Sequence, residues 1–449
     1  MSRRMKKFAV IIVSLLLFRG VYAQDTLQLT LPQAIDIALS ESPTIKVANK
    51  EIQKVEYSKK ERQGGLLPNI NLGASYMRTL KKQKMFFSIP GMPANPNGIE
   101  VGQDNTFNGA TNGISAALPL VAPALWQTIH MSQYDLELAL ENARSSKINL
   151  VNQVQKAYYS LLLAQDSYNV INRAYANTQE NDRIIKNKFK QGTVSEFETI
   201  RSDVQMRNVS ANLTAAANGM ELAKLQLKML MGIDMDTPIS VIGKLSDYEN
   251  NMFVDYMKID TTALALNSEM KKFEIQSKQL SQTLKIQRAS YLPTLSASIN
   301  YNYMSMVNDE STFTKDHKWF PTSNVGIVLQ IPIFQGGQRY YKEKQLRTQI
   351  SELDDQKKSL QQGLQLQAMS FMNNMQKAMK LIDSNKEALR QAEKAMEISK
   401  KMYEVGGGTY LDVTNAELGY LQAGLAYNQA IYDYLSAKSD MDKLLGKTF

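Results

Sequence analysis

The stretch VGIVLQIPIFQGGQRYY, residues 325–341, decides the fold. Val325, Ile327, Leu329 and Ile331 alternate with Asn324, Gly326, Val328 and Gln330, with one lapse at Val328. A two-residue period with one apolar face describes a half-buried strand. The strand runs into Pro332, and the remaining 117 residues hold no proline. The same sequence of events occurs earlier in GISAALPLVAPALWQ, residues 113–127, where Pro119 and Pro123 are followed by no proline until Pro238. Proline cannot donate to a strand ladder and loses nothing at a helix start, so it punctuates both.

The chain is therefore written twice. IALSESPTIK (37–46) pairs with TALALNSEMK (262–271), and GLLPNINLGASY (65–76) with SYLPTLSASINY (290–301), both at an offset of 225. LPL (118–120) pairs with IPI (331–333) at 213, and FKQGTVSEFE (189–198) with YEVGGGTYLD (403–412) at 214. LKMLMG (227–232) pairs with MDKLLG (441–446), again at 214. The change of offset falls in segments 79–111 and 304–322, which read as loops, where insertions are tolerated. Internal duplication of this kind sets the architecture before any local assignment.

Each repeat has the order helix, strand, loop, strand, very long helix, tip, returning helix. The reading is 24–232 for the first repeat, with strands about 69–78 and 112–120 and a tip near 192. Residues 233–262 link it to the second repeat, 263–449, with strands about 294–303 and 323–333 and a tip near 406. Ile70, Leu72, Ala74 and Tyr76 oppose Asn69, Asn71, Gly73 and Ser75. Leu295, Ala297, Ile299, Tyr301 and Tyr303 oppose small or polar residues in the same way. A small, polar face opposite an apolar one is the pattern of a barrel lumen. From Pro119 to Gly192 is 73 residues, a helix of roughly 110 Å at 1.5 Å per residue. Leu346, Ile350, Leu353, Lys357, Leu360 and Leu364 step by four and three, a heptad with polar interruptions that implies wet seams.

Composition narrows the class. The 449 residues include no cysteine and two histidines, which excludes disulfides and thiolate metal sites. Arg3, Arg4, Lys6 and Lys7, the apolar run FAVIIVSLLLF and V-Y-A before Gln24 read as a signal peptide over 1–23, too short to span a bilayer. Those residues carry five of the basic charges and no acid, so the formal +9 becomes 9 − 5 = +4 in the mature chain. No basic stripe with interleaved aromatics exists, so no nucleic-acid partner is expected. No nucleophile–base pair, phosphate-binding glycine loop or ligand cluster suggests an enzyme, a cofactor or a metal. Four strands cannot close a barrel alone, because the smallest membrane barrels have about eight. The chain must share its strands with identical copies or keep them out of lipid, and three copies give twelve strands, wide enough for a lumen.

The two-fold repeat, the LTLPQAIDIAL opening, LP before each odd strand, IPIFQGG and the YxxG…LDV tip resemble the TolC family of outer-membrane efflux proteins over essentially the whole mature chain. The resemblance implies a mainly α fold with a β-barrel portion. Two repeats of long antiparallel α-hairpins with two strands each would form a trimeric, 12-stranded transmembrane β-barrel continuing into a periplasmic α-helical barrel. It implies a Gram-negative outer-membrane location, contact with outer-membrane lipid and no catalysis. It implies a passive exit duct for efflux or type I secretion. Its partners would be a periplasmic membrane-fusion adaptor protein and, through it, an inner-membrane transporter of RND, ABC or MFS type. A periplasmic coiled-coil scaffold or adaptor with a soluble β-domain is the alternative reading.

The resemblance also marks residues. Adaptor hairpins would dock at the tips, Gly192, Thr193 and Val194 in the first repeat and Gly406, Gly407, Gly408 and Thr409 in the second. Asp412 matches an aspartate of the family's periplasmic constriction and Tyr403 a tyrosine that holds the entrance shut. A second family aspartate is Asn415 here, and a gate arginine falls on Gly408. Glu198 occupies the position equivalent to Asp412, and a helix N-terminal charge accounts for either residue equally well. Residues 233–262 with the chain ends would form a small mid-length domain. Loop 79–111 reads as filler, as a cover for the barrel mouth or as a binding segment for an external partner, and the 23 methionines as packing.

Overall fold

The structure, a computed structural model, describes residues 26–78, 84–85, 99–100, 108–252, 261–307 and 318–447. The signal segment, most of loop 79–111, residues 253–260, His317 and Phe449 lie outside the described residues. In chain order the elements are β1 (Leu27–Leu29), α1 (Leu31–Glu41), α2 (Pro43–Gly64), β2 (Asn69–Arg78), β3 (Lys84–Met85), β4 (Ile99–Glu100) and β5 (Asn108–Val121). Then come α3 (Pro123–Lys190), α4 (Glu196–Met231), β6 (Ile239–Val241), α5 (Ser268–Ala289), β7 (Thr294–Val307), β8 (Phe320–Gln330), α6 (Gln338–Glu404) and α7 (Tyr410–Leu444). No described helix is long and apolar enough to cross a membrane.

Two of the punctuating prolines do not start helices. Pro119 sits inside β5, where the register shifts between Pro119 and Val121, and Pro123 takes the first position of α3. A bulge tolerates the missing N–H, as does the first helical turn. After Pro332 the long helix begins only at Gln338, because Gly336 and Gly337 turn the chain through φ of 58° and 75°. The long helices are thus 68 and 67 residues, several residues shorter than the proline spacing implied. β8 stops at Gln330, before Pro332, and β5 starts at Asn108 rather than near 112.

The chain forms two compact units that do not follow the sequence repeats; each draws on both. One comprises residues 50–141 and 272–358. Its centre is a four-stranded antiparallel sheet of order β2-β5-β7-β8. Opposed residues in an antiparallel ladder share a face. Ile70, Ala116, Ile299 and Val325 form one cross-strand row, and Leu72, Ile114, Tyr301 and Ser323 the next. The other face carries the row Asn71, Ser115, Asn300 and Asn324, in which the Asn300 amide donates to Asn324 Oδ1 at 2.9 Å. All four apolar faces point the same way. They are open: Leu72 is 80% exposed and Val325 76%.

The other unit comprises residues 1–49, 142–271 and 359–449. Its core joins Ile35, Val154, Leu162, Leu227, Met375, Ile431 and Met441. A small parallel pair, β1 with β6, is pinned by the buried Tyr158, whose hydroxyl donates to the Ile242 carbonyl at 2.8 Å and lies 3.1 Å from that of Leu29. The matched glycines of LKMLMG and MDKLLG have matched roles. Gly232 ends α4 at φ 72°, and a Cβ there would lie 2.8 Å from the Glu41 carbonyl oxygen and 2.9 Å from Ser42 Cα. Gly446 follows α7 at φ 66° and packs on the Leu266 backbone. Each returning helix therefore ends against the start of its own repeat, where Asn267 donates to the Leu444 carbonyl at 2.8 Å. Only glycine adopts that backbone so closely packed without strain.

Candidate functional site

The two helix reversals lie in the helical unit and share one construction. α3 ends at Lys190, and Gly192 takes φ 72° so that the Thr193 N–H donates to the Lys188 carbonyl at 3.0 Å. α6 ends at Glu404, and Gly406 takes φ 79° so that the Gly407 N–H donates to the Met402 carbonyl at 2.8 Å. Neither glycine has a neighbour within 4 Å of where a Cβ would sit, so conformation alone demands glycine there. Each turn then restarts a helix with an N-cap. The Ser195 hydroxyl accepts from the Glu198 N–H at 3.4 Å, and that of Thr409 from the Asp412 N–H at 3.2 Å. The Asp412 carboxylate accepts from the Thr409 N–H at 2.9 Å, closing a capping box. Val405, Phe197 and Ile200 stand exposed beside these turns, at 83%, 67% and 58%.

The site residues fall into two groups. Tyr403 lies under the Lys188 ammonium, 4.1 Å from the ring centroid, and its ring is 6.1 Å from that of Tyr410. Burial raises the Tyr403 hydroxyl above its ordinary pKa, and the Glu198 carboxylate adds to the shift. Asp412 and Asn415 lie apart from this group, on the exposed face of α7, three residues from one another. The buried face of α7 carries Tyr410, Val413, Glu417 and Tyr420 instead. The hydrogen bonds from the Thr409 side chain and backbone hold Asp412 below the usual carboxylate range, so it stays charged well into acid. Gly192, Thr193, Gly406, Gly407 and Thr409 are exposed; Val194 and Gly408 are half-buried.

Above the turns, polar groups lock α3 to α7 and α6. Glu417 is only 5% exposed, yet it is ionisable. Its carboxylate accepts from Asn181 at 2.7 Å and from Thr178 at 3.4 Å, with the Lys400 ammonium 3.8 Å away. Desolvation outweighs these partners and pushes its pKa up. Arg173 pairs with Glu393 at 2.8 Å and stacks on Tyr420 at 5.3 Å. Sequence reading missed this layer. The one signal for it is a carboxylate falling on the apolar stripe of α7, which heptad logic treats as an interruption.

Glu417 has a testable sign. A carboxyl whose folded pKa is raised contributes stability in full below its unfolded value of 4.5, and that contribution is lost as the pH rises through the folded value. Glu417→Gln cannot ionise but keeps an oxygen for Asn181. Its thermal midpoint is expected to rise relative to wild type as the pH is raised above 4.5. A midpoint difference that stays constant over that range would remove the ionisation from the account.

Comparison with known proteins places this arrangement. The family model described as "Outer membrane efflux protein" matches residues 34–233 and 261–447. The chain is similar to the outer membrane protein TolC of Vibrio cholerae, at 19% identity over 74% of this chain and 76% of that protein. It is similar to the alkaline protease secretion protein AprF of Pseudomonas aeruginosa, at 22% identity over 75% and 69% of the two chains. Its fold matches the Campylobacter jejuni CmeC outer membrane channel with a TM-score of 0.69 at 19% identity, covering 93% and 85% of the two chains.

Proposed function

Because this chain belongs to the outer membrane efflux protein family, we propose that three copies of it close one 12-stranded barrel, continued by a helical barrel in the periplasm. The protein is an outer-membrane exit duct for efflux or secretion. The observation that carries the trimer is the open sheet of β2, β5, β7 and β8, whose apolar face is exposed and whose two edge strands pair with no further strand among the described residues. About half the backbone groups of each edge strand point outward. In lipid each would cost several kcal/mol, roughly tens in sum, which pairing with another copy removes. A soluble scaffold would expose the same apolar face to water, so that reading is disfavoured.

The duct carries out no bond chemistry; its work is to hold a path open or shut. In the trimer Asp412 of each copy would approach the axis at the periplasmic entrance, and three carboxylates in a ring favour cations. Tyr403, Glu198 and Lys188 would hold neighbouring helices at that entrance. The glycine turns, flanked by Phe197, Ile200 and Val405, would take the hairpins of a periplasmic adaptor, which couples the duct to an inner-membrane transporter of RND, ABC or MFS type. The similarity to a protease secretion protein keeps type I secretion beside small-molecule efflux as a use of the same duct.

Single-pore recording in planar bilayers tests the reading. The purified protein is expected to form discrete conductances that prefer cations. Asp412→Asn keeps a capping oxygen but removes the charge, and is expected to lower that preference several-fold. Absence of any conductance would overturn the duct, and unchanged selectivity would overturn the ring alone.

A further inference from the structure

The end of α7 and the start of α5 meet at Asn267. Its amide donates to the Leu444 carbonyl at 2.8 Å, and its Oδ1 accepts from the Glu269 and Met270 N–H groups at 2.9 and 3.3 Å. α3 and α6 flank this joint, and the four helices leave between them a cavity of about 320 Å³, lined wholly by residues of the helical unit. Small-molecule sites begin at about 300 Å³. The walls are held in place. The Asp440 carboxylate accepts from Asn152 at 3.1 Å and pairs with Lys156 at 2.9 Å, and Gly446 packs on the Leu266 backbone. The cavity is therefore formed before any ligand arrives.

Its polar groups are left without partners. Ser268 lines the cavity and is 8% exposed, yet its buried hydroxyl bonds to nothing among the described residues. A buried hydroxyl in that state calls for a partner from outside the chain. Asn149, Gln367 and the Lys443 ammonium line the same cavity and make no side-chain hydrogen bond or ion pair to another described residue. Leu364, which is buried, and Phe371, which is half-buried, supply an apolar wall. Asp440 is already engaged by Lys156 and Asn152, so Lys443 is the charge on offer.

We propose that this cavity binds a short peptide by its free carboxylate. Lys443 takes the carboxylate in a charge-assisted bond. Asn149 and Gln367 each offer a donor and an acceptor to the peptide group, and the Ser268 hydroxyl adds a third polar contact. An apolar side chain of the ligand lies on Leu364 and Phe371. Other guests fit less well. A hydrocarbon would leave all four polar groups unpaired. A phosphate would bring two charges to one lysine and face the carboxylates of Asp440 and Glu269. A neutral sugar would leave the Lys443 charge unanswered. The inference is independent of the duct and of its trimer.

The probe is the dipeptide L-leucyl-L-alanine. Calorimetric titration of the purified protein in detergent is expected to show a saturable site in each chain. The C-terminal amide of the same dipeptide lacks the carboxylate and is expected to bind about tenfold more weakly, as is the dipeptide to Lys443→Gln. Lys380→Gln removes an exposed charge of α6 outside the cavity and is expected to bind as wild type does. Ser268→Ala is expected to bind several-fold more weakly, with no fall in its thermal midpoint without probe, because the hydroxyl it removes has no partner in the chain. A merely structural serine would lower that midpoint. Gln367→Trp fills the cavity from an exposed position and is expected to abolish binding. No saturable binding by wild type would overturn the site, and binding unchanged in Gln367→Trp would overturn it equally. Equal binding of acid and amide would overturn the carboxylate anchor. None of these results touches the duct, which single-pore recording tests.

Discussion

Gly232→Val is expected to abolish assembly of the duct, leaving less than about one-tenth of the wild-type amount in the outer membrane. Two effects add. A residue with a Cβ in the left-handed region costs roughly 1–2 kcal/mol, and more when β-branched. The Cβ would also press on the Glu41 carbonyl and Ser42 Cα at 2.8 and 2.9 Å, which are backbone atoms that cannot rotate away. Overpacking of this kind costs about 1–3 kcal/mol. A total of ~2–5 kcal/mol is a large part of the 5–15 kcal/mol typical of folded domains. Gly446→Val should behave alike, since that glycine fills the same role in the second repeat. Gly219 is the control: it lies exposed within α4 with nothing near its Cβ position, and Gly219→Ala is expected to stabilise by up to about 1 kcal/mol. Heat-stability of the assembled protein on gels reads all three. Wild-type levels of Gly232→Val would mean that the helix end does not need this close approach.

The second large effect belongs to the turns. Gly406→Val is expected to reduce export to the level of a deletion strain while leaving assembly intact. Here nothing lies within 4 Å, so the penalty is confined to the turn conformation and the fold survives. What changes is the backbone path between Val405 and Thr409, the proposed docking surface. Gly406→Asn, which tolerates the left-handed conformation, is expected to keep most of the function. Gly192→Val should act in the same direction. The readouts are export of dyes and peptides and co-purification of an adaptor. Normal export by Gly406→Val would remove the docking role from this turn; lost assembly would show that the turn is structural.

Much of this was legible in the sequence because it depends on local rules. Alternation placed the apolar residues of β2, β5, β7 and β8, and the ladder sets those faces on one side of the sheet. Positive-φ turns at Gly192 and Gly406 follow from glycine at matching sites in two repeats. What stayed hidden depends on through-space partners. Pro119 could not be told from a helix start, because whether proline ends a strand or sits in a bulge is decided by the neighbouring strand. The start of α6 was lost to a glycine pair whose φ values sequence does not state. Glu417 shows in the sequence only as a carboxylate on an apolar stripe, since the partners that make it a buried site, Asn181 and Lys400, are 236 and 17 positions away in the chain. For Asp412 the sequence allows ring charge or helix cap; the capping box is observed, and its carboxylate lies on the exposed face of α7, which leaves the other use open to it.

The way each returning helix ends also bears on how the chain can be built. Gly232 rests on Ser42, and β6 at Ile239–Val241 pairs with β1 at Leu27–Leu29, so contacts that tie off the first repeat are complete once about half the polypeptide has emerged. A chain delivered from its N-terminus can therefore shut its leading half before the trailing half arrives, and the nascent intermediate need not keep its whole apolar content bare. The strands are the exception. β5 waits for β7, and in the proposed trimer the outer edges wait for another copy, so the sheet would be the last part to find its partners and the part most in need of escort.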